Sequence, residues 1–233
     1  MIKNIPTDNE EVDRQLGGGI PTPCLMMIEG EHGTGKSALA AQFIHGMLRS
    51  KMKVLCITEN TVKDYIEKMK TITFNFTTPF LQNKLSILPL HVYGAVWSQK
   101  QSSFLLPVIG RYISSNSKNF DCVIIDSISL LTMYSDADNI LDFITRCKHL
   151  ISTGMTVILT MHKESVPEDI AMRLKSACDV YFSLSTANIG GRTVKVMNII
   201  KLIGSTEAAE SSFAFEIDNN FGIKIVPIST ANA

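Results

Sequence analysis

Gly30-Glu31-His32-Gly33-Thr34-Gly35-Lys36-Ser37 is the stretch on which the reading of the whole chain turns. It fits the spacing G-x-x-x-x-G-K-[ST], and each part has a physical task. The glycines let backbone N–H groups turn inward around a polyphosphate, at the positive end of the helix that follows. Lys36 supplies a point charge for the β and γ phosphates, and the Ser37 hydroxyl suits a magnesium ion. Glu31, His32 and Thr34 fill the variable positions and belong to the same binding loop. A chance glycine-rich turn has no reason to follow an apolar strand and open an amphipathic helix; this loop does both.

Working outward, the run before the loop, Cys24–Glu29, reads as a strand, and the residues after Gly35 read as a helix. Leu39, Phe43 and Met47, flanked by Ala40, Ile44 and Leu48, form its i, i+4 stripe. Further strands are expected at Val54–Thr58, Leu85–Leu88, Cys122–Asp126, Thr156–Thr160 and Val180–Leu184. Val123-Ile124-Ile125 is apolar throughout, the mark of a strand buried on both faces. Helical segments lie between the strands. Thr61-x-x-Asp64 opens one with a capping-type start, supported by an Asp64/Lys68 pair at i, i+4. Ser102 and Ser103 followed by Pro107 start another, the proline falling in its first turn. Ile140, Ile144, Cys147 and Ile151 make the buried stripe of a fourth helix ending near Gly154, and Pro167 fits the first turn of a fifth running towards Ser176. This alternation predicts an α/β phosphate-loop domain, its central sheet mainly parallel and flanked by helices.

From Ser185 the pattern changes to alternating residues. Thr186–Leu202 is expected to form a hairpin turning at Gly190-Gly191, and Phe213–Ile217 with Ile223–Pro227 a second one. The expectation is one domain over residues 1–233, with residues 185–227 as an antiparallel β extension inside it; no repeats or long linkers interrupt it.

A phosphate loop of this kind works with an acidic residue at the end of a neighbouring buried strand. Asp126, closing Cys122-Val123-Ile124-Ile125, fits that role and would hold Mg²⁺ together with Ser37. Thr160 and His162, at the end of the next strand, are candidates to sense the γ-phosphate.

Composition narrows the alternatives. Among 233 residues, 22 Lys+Arg balance 22 Asp+Glu, so the basic excess typical of nucleic-acid binders is missing and no nucleic-acid partner is expected. Apolar residues make up 45%, which excludes a disordered chain. Charged residues are only 19%, below the roughly 25% of ordinary soluble domains, which points to surface shared with neighbours. No apolar run approaches the roughly 18 residues needed to span a bilayer, and the N-terminus lacks the apolar stretch of a secretory signal. The five scattered cysteines form no C-x-x-C pair, and the five histidines show no zinc spacing, the pattern of a reduced cytoplasmic protein.

Val12-Asp13-Arg14-Gln15-Leu16-Gly17-Gly18-Gly19-Ile20-Pro21, the phosphate loop and Ile125-Asp126-Ser127 together resemble the RecA/KaiC-type ATPases. The resemblance narrows with Thr58-Glu59-Asn60-Thr61-Val62-Lys63-Asp64-Tyr65, Ile189-Gly190-Gly191-Arg192-Thr193-Val194-Lys195 and Gly222-Ile223-Lys224-Ile225-Val226-Pro227. These are similar to the FlaH (ArlH) family of ATP-binding accessory proteins of the archaeal flagellum, the archaellum. The resemblance implies ATP and Mg²⁺ as ligands and a cytoplasmic position at the base of a membrane-embedded motor. It implies the motor's secretion-type ATPase (FlaI) and a surrounding scaffold as partners. A homo-oligomer is implied too, hexameric rings with nucleotide between subunits being found in the wider superfamily.

Two departures accompany the match. Active KaiC-like proteins carry adjacent glutamates where this chain has Glu59-Asn60, so Glu59 is the candidate catalytic base, while Asn60 cannot accept a proton at neutral pH. Active relatives also present a Lys-x-Arg pair across the subunit boundary, and Lys201-Leu202-Ile203 stands there instead. An arginine so placed in phosphoryl transfer is worth about 10³–10⁵ in rate. Two functions follow as expectations: a nucleotide-dependent binding module with weak or absent hydrolysis, or an active ATPase or autokinase using Glu59. A RecA-type strand-exchange role would need basic DNA-contacting loops, and the lysines are dispersed.

Overall fold

Eleven strands are seen among the described residues of the computed structural model, which are 2–90, 103–189 and 191–227. Ser102 and Gly190, expected at a helix start and in a turn, lie outside them. β1 (Lys3–Ile5) and β2 (Ile20–Thr22) pair as a small antiparallel ribbon. The remaining strands are β3 (Leu25–Gly30), β4 (Val54–Thr58), β5 (Leu85–Pro89), β6 (Cys122–Asp126), β7 (Thr156–His162), β8 (Val180–Ile189), β9 (Arg192–Leu202), β10 (Ser212–Asp218) and β11 (Gly222–Val226). They form one sheet in the order β11-β10-β9-β8-β3-β7-β6-β4-β5. Pairings from β8 to β5 are parallel, and those from β8 to β11 are antiparallel.

The helices are α1 (Glu10–Gln15), α2 (Lys36–Arg49), α3 (Val62–Lys70), α4 (Thr77–Leu81), α5 (Leu105–Ser115), α6 (Ser129–Thr132), α7 (Ala137–Ser152) and α8 (Glu168–Ala177). Side chains alternate across a strand, and that alternation splits the core in two. Met26, Ile28, Cys56 and Ile124 point into one cluster with Phe43 and Met47 of α2 and Tyr65 and Met69 of α3. Leu25, Met27, Ile57 and Ile125 point into the other, with Leu106 of α5, Phe143 of α7 and Leu174 of α8. Phe213, Phe215 and Ile223 of the antiparallel end join the α2 cluster, so the extension helps to bury the helix that follows the phosphate loop.

Several sequence expectations are corrected. Val180–Leu184 is not a separate strand: β8 runs unbroken to Ile189, because Ser185 pairs with Val196 and the ladder continues through it. The fourth expected helix, α7, buries Ile140, Phe143, Cys147 and Leu150, while Ile144 and Ile151 flank that stripe. Pro167 is the residue before α8, not part of its first turn. Thr61 does cap α3, accepting from the Asp64 N–H at 3.1 Å. The Asp64/Lys68 pair does not form, since the Asp64 carboxylate accepts from the Thr61 hydroxyl at 2.7 Å and Lys68 turns to Asn60.

Candidate functional site

All the parallel strands end on one edge of the sheet, the usual place for ligands in α/β folds. Gly30, Thr58, Asp126 and His162 are the last or near-last residues of β3, β4, β6 and β7 there. The phosphate loop leaves β3 and closes on Gly35, which sits at the N-cap of α2 with φ 96° and offers no side-chain cap. Gly33 is also left-handed, at φ 77°, with open space where a Cβ would stand. These two positions let the backbone fold into a ring that leaves first-turn N–H groups of α2 unclaimed by any capping side chain. No acidic residue occupies the first turn of α2, so its positive end is unopposed there.

Lys36 crosses this ring. It is 6% exposed, and its Nζ donates to the carbonyls of Gly30 at 2.9 Å and Glu31 at 2.7 Å. Burial lowers its pKa, and the nearby Asp126 carboxylate opposes that shift. Thr34 is buried and donates to the Glu31 carbonyl at 2.8 Å, bracing the loop from beneath. Glu31, His32 and Ser37 are exposed around its mouth.

Asp126 is buried, and its Oδ1 accepts from the Thr160 hydroxyl at 2.6 Å. Thr160 itself is fully buried within β7 and stands behind Asp126 rather than on the wall of the cleft. His162, two residues further, does line the cleft and stacks on His32 with ring centroids 4.1 Å apart. Burial lowers its pKa, and Lys36 and His32 add to that, against the pull of Asp126. Glu59 follows β4; its Oε1 accepts from Ser127 Oγ at 3.1 Å, and its N–H donates to the Asp126 carbonyl at 3.4 Å. Glu59 is therefore beside Asp126 but is not among the residues lining the cleft.

The cleft has a volume of about 470 Å³. Lys36, Ser37, Asp126 and His162 line it, together with Lys68, Met69, Ile72 and Ile217. Sequence reasoning missed these last four. Lys68, Met69 and Ile72 lie on or just past α3, and their helical spacing alone makes them a core edge; Ile217 comes from β10 and carries no local signal of the site.

The residues present fit a magnesium-bound nucleotide. Ser37 and Asp126 offer hard oxygen donors, the set Mg²⁺ takes when phosphates complete its shell. Among the described residues no cluster of three or more His, Cys, Asp or Glu side chains could hold a metal alone. The His162 Nδ1 is buried and finds no hydrogen-bond partner among the described residues.

Comparison with known proteins bears on the same features. The KaiC ATPase family matches residues 5–230. The archaeal flagellar ATP-binding protein FlaH of Sulfolobus acidocaldarius is 40% identical over 98% of this chain and 99% of its own length. The chain belongs to the FlaH-like branch of the KaiC ATPase family. The crystal structure of the flagellar accessory protein FlaH from Methanocaldococcus jannaschii superposes with a TM-score of 0.86, covering 97% of this chain and all of that one at 22% identity. A KaiC-like protein of Pyrococcus horikoshii gives 0.78 with the same coverage at 21% identity. These two likenesses show the RecA/KaiC fold. Within the FlaH-like chain no helix of the described residues is long and apolar enough to cross a membrane.

Proposed function

We propose that this FlaH-like chain binds ATP with Mg²⁺ in the cleft and uses nucleotide occupancy to control its own assembly and its engagement of the archaellum motor ATPase, with weak or absent hydrolysis. The observation that carries the reading is Lys36, seated in a ring of backbone at the uncapped start of α2 and lining the same cleft as Asp126. The loop N–H groups and Lys36 bind the β and γ phosphates, His32 and His162 close the mouth, and Thr160 fixes the rotamer of Asp126. Ser37 and Asp126 would hold Mg²⁺, which when bound supplies positive charge shared with the phosphate oxygens.

Little or no turnover fits the environment of the acidic candidates. Glu59 is tied to Ser127, and Asn60 is an amide engaged by Lys68. A nucleotide that is bound and kept biases a conformational equilibrium when one state contacts it better than the other. The relatives' names place them in the archaeal flagellum. That supports a cytoplasmic position at the face of the membrane-embedded motor, as a homo-oligomeric, ring-type component beside the FlaI-type motor ATPase and its scaffold.

Lys36→Ala tests this directly. Calorimetry is expected to show ATP binding lost, and binding to the motor ATPase is expected to lose its dependence on ATP. Equal partner affinity with and without ATP in the unaltered protein would sink the switch.

One observation favours a second reading, an active ATPase or autokinase. The Glu59 carboxylate stands beside Asp126, which lines the cleft. Steady phosphate release abolished by Glu59→Gln, with ATP binding intact, would select this reading; transfer of labelled γ-phosphate to the chain's own Ser or Thr would identify the autokinase form.

A further inference from the structure

Lys68 lines the cleft from α3, outside the phosphate loop. It lies in the last turn of α3, where a cation already gains from the helix dipole, and the i−4 carboxylate of Asp64 would be its ordinary partner. That partner is unavailable, because Asp64 is occupied by Thr61 through both its N–H and its carboxylate. The Lys68 ammonium instead donates to the side-chain carbonyl of Asn60 and lines the cleft with Lys36 and Asp126. No ion pair of Lys68 occurs among the described residues.

The direction of the Asn60 amide is fixed by its other contacts. Its Nδ2 donates to Thr58 Oγ1 at 3.2 Å and its backbone N–H to the same hydroxyl at 3.3 Å. The carbonyl end is left to face Lys68. Thr58 ends β4 in register with Asp126 on β6, so the chain Thr58–Asn60–Lys68 is anchored in the same layer as the acidic residue. The choice of an amide is chemically pointed. A carboxylate at position 60 would neutralise Lys68 in an ion pair, whereas a neutral carbonyl orients the ammonium and leaves its full charge and two remaining donors for an anion.

We propose that Lys68 is a second cation of the nucleotide cleft, contacting the polyphosphate from α3, and that Asn60 is the positioning residue that aims it. This rests on the nucleotide-binding reading above and adds to it a contact outside the phosphate-loop motif. Lys36 holds the phosphates from beneath, and Lys68 holds them from the α3 wall.

The test is the affinity of the full chain for ATP and AMP, by calorimetry and by competition against a fluorescent ATP analogue, in Lys68→Met, Lys68→Arg, Asn60→Ala and the double variant Asn60→Ala/Lys68→Met. Thermal melts confirm that each variant is folded, and Lys36→Ala serves as reference. Lys68→Met is expected to weaken ATP about tenfold, the loss of one charge-assisted hydrogen bond, and to leave AMP within about twofold. Lys68→Arg should restore most of the ATP affinity. Asn60→Ala should weaken ATP about threefold to tenfold with Lys68 present and have no further effect once Lys68 is methionine. ATP affinity unchanged in Lys68→Met while lost in Lys36→Ala overturns this inference alone. An equal loss for AMP and ATP overturns the polyphosphate contact, and additive effects of the two substitutions overturn the role of Asn60. Failure of the unaltered chain to bind ATP overturns the nucleotide reading itself.

Discussion

The Thr160 hydroxyl donates to Asp126 Oδ1 at 2.6 Å, both groups being buried between neighbouring parallel strands. Thr160 thus touches the cleft lining through Asp126. Thr160→Val keeps the shape and removes the donor, leaving a buried carboxylate oxygen short of a partner. A stability loss of about 1–3 kcal/mol is expected in urea unfolding. The Mg²⁺-dependent part of ATP affinity should fall roughly tenfold, as it does when a group supporting a metal ligand is lost. Unchanged magnesium dependence would show that Asp126 needs no such support.

Gly46 offers a change of sign. It lies inside α2, where alanine ordinarily stabilises by about 1 kcal/mol. Here an added Cβ would stand 2.3 Å from the Pro6 carbonyl oxygen and 2.5 Å from Thr7 Cα, both backbone atoms of the N-terminal segment. Gly46→Ala is therefore expected to destabilise by about 1–3 kcal/mol. A variant as stable as the parent would mean that the segment moves aside at little cost.

Glu29, just before the phosphate loop, is a buried carboxylate paired with Lys175 of α8 at 2.7 Å and accepting from the Tyr181 hydroxyl. Removing only the cation strands a buried charge. Lys175→Met should cost about 1–3 kcal/mol, reduced from a fully buried pair because Lys175 is partly exposed. Adding Glu29→Gln should recover part of that loss, and the double-mutant cycle on unfolding free energies measures the coupling.

His162 sets a pH dependence. Burial, then Lys36 and His32, hold its pKa below the ordinary 6.5, with only Asp126 pulling the other way. Just below pH 6.5 the unfolded chain therefore binds more protons than the native one. Its contribution to stability is intact above pH 6.5 and declines as pH falls below it. Melting temperatures of the ligand-free protein should drop less steeply below pH 6.5 in His162→Gln than in the parent. Parallel curves would show that His162 does not titrate differently on folding.

Much of the molecule was legible locally. Continuous apolar runs such as Val123-Ile124-Ile125 identify strands buried on both faces, because only a sheet covered by helices needs side chains of that kind on every position. The phosphate loop is legible because its residues are contiguous and each is demanded by backbone geometry. The short elements α1, α4 and α6 were not foreseen, since six residues or fewer carry too little periodicity. The break expected at Ser185 has the same origin: one polar residue resembles a strand end when its partner Val196 is not in view.

The sequence by itself determined the α/β class, the phosphate loop, the position of Asp126 at the end of a buried strand and the two hairpins, all of which follow from neighbours along the chain. Only the tertiary structure decided that Thr160 stands behind Asp126, that Lys68 abandons Asp64 for Asn60, and that Ile217 from β10 joins the lining of the cleft at the phosphate loop. The physical reason is that a polar group's partner is settled by competition among every donor and acceptor the fold brings within reach, and that competition takes place in space.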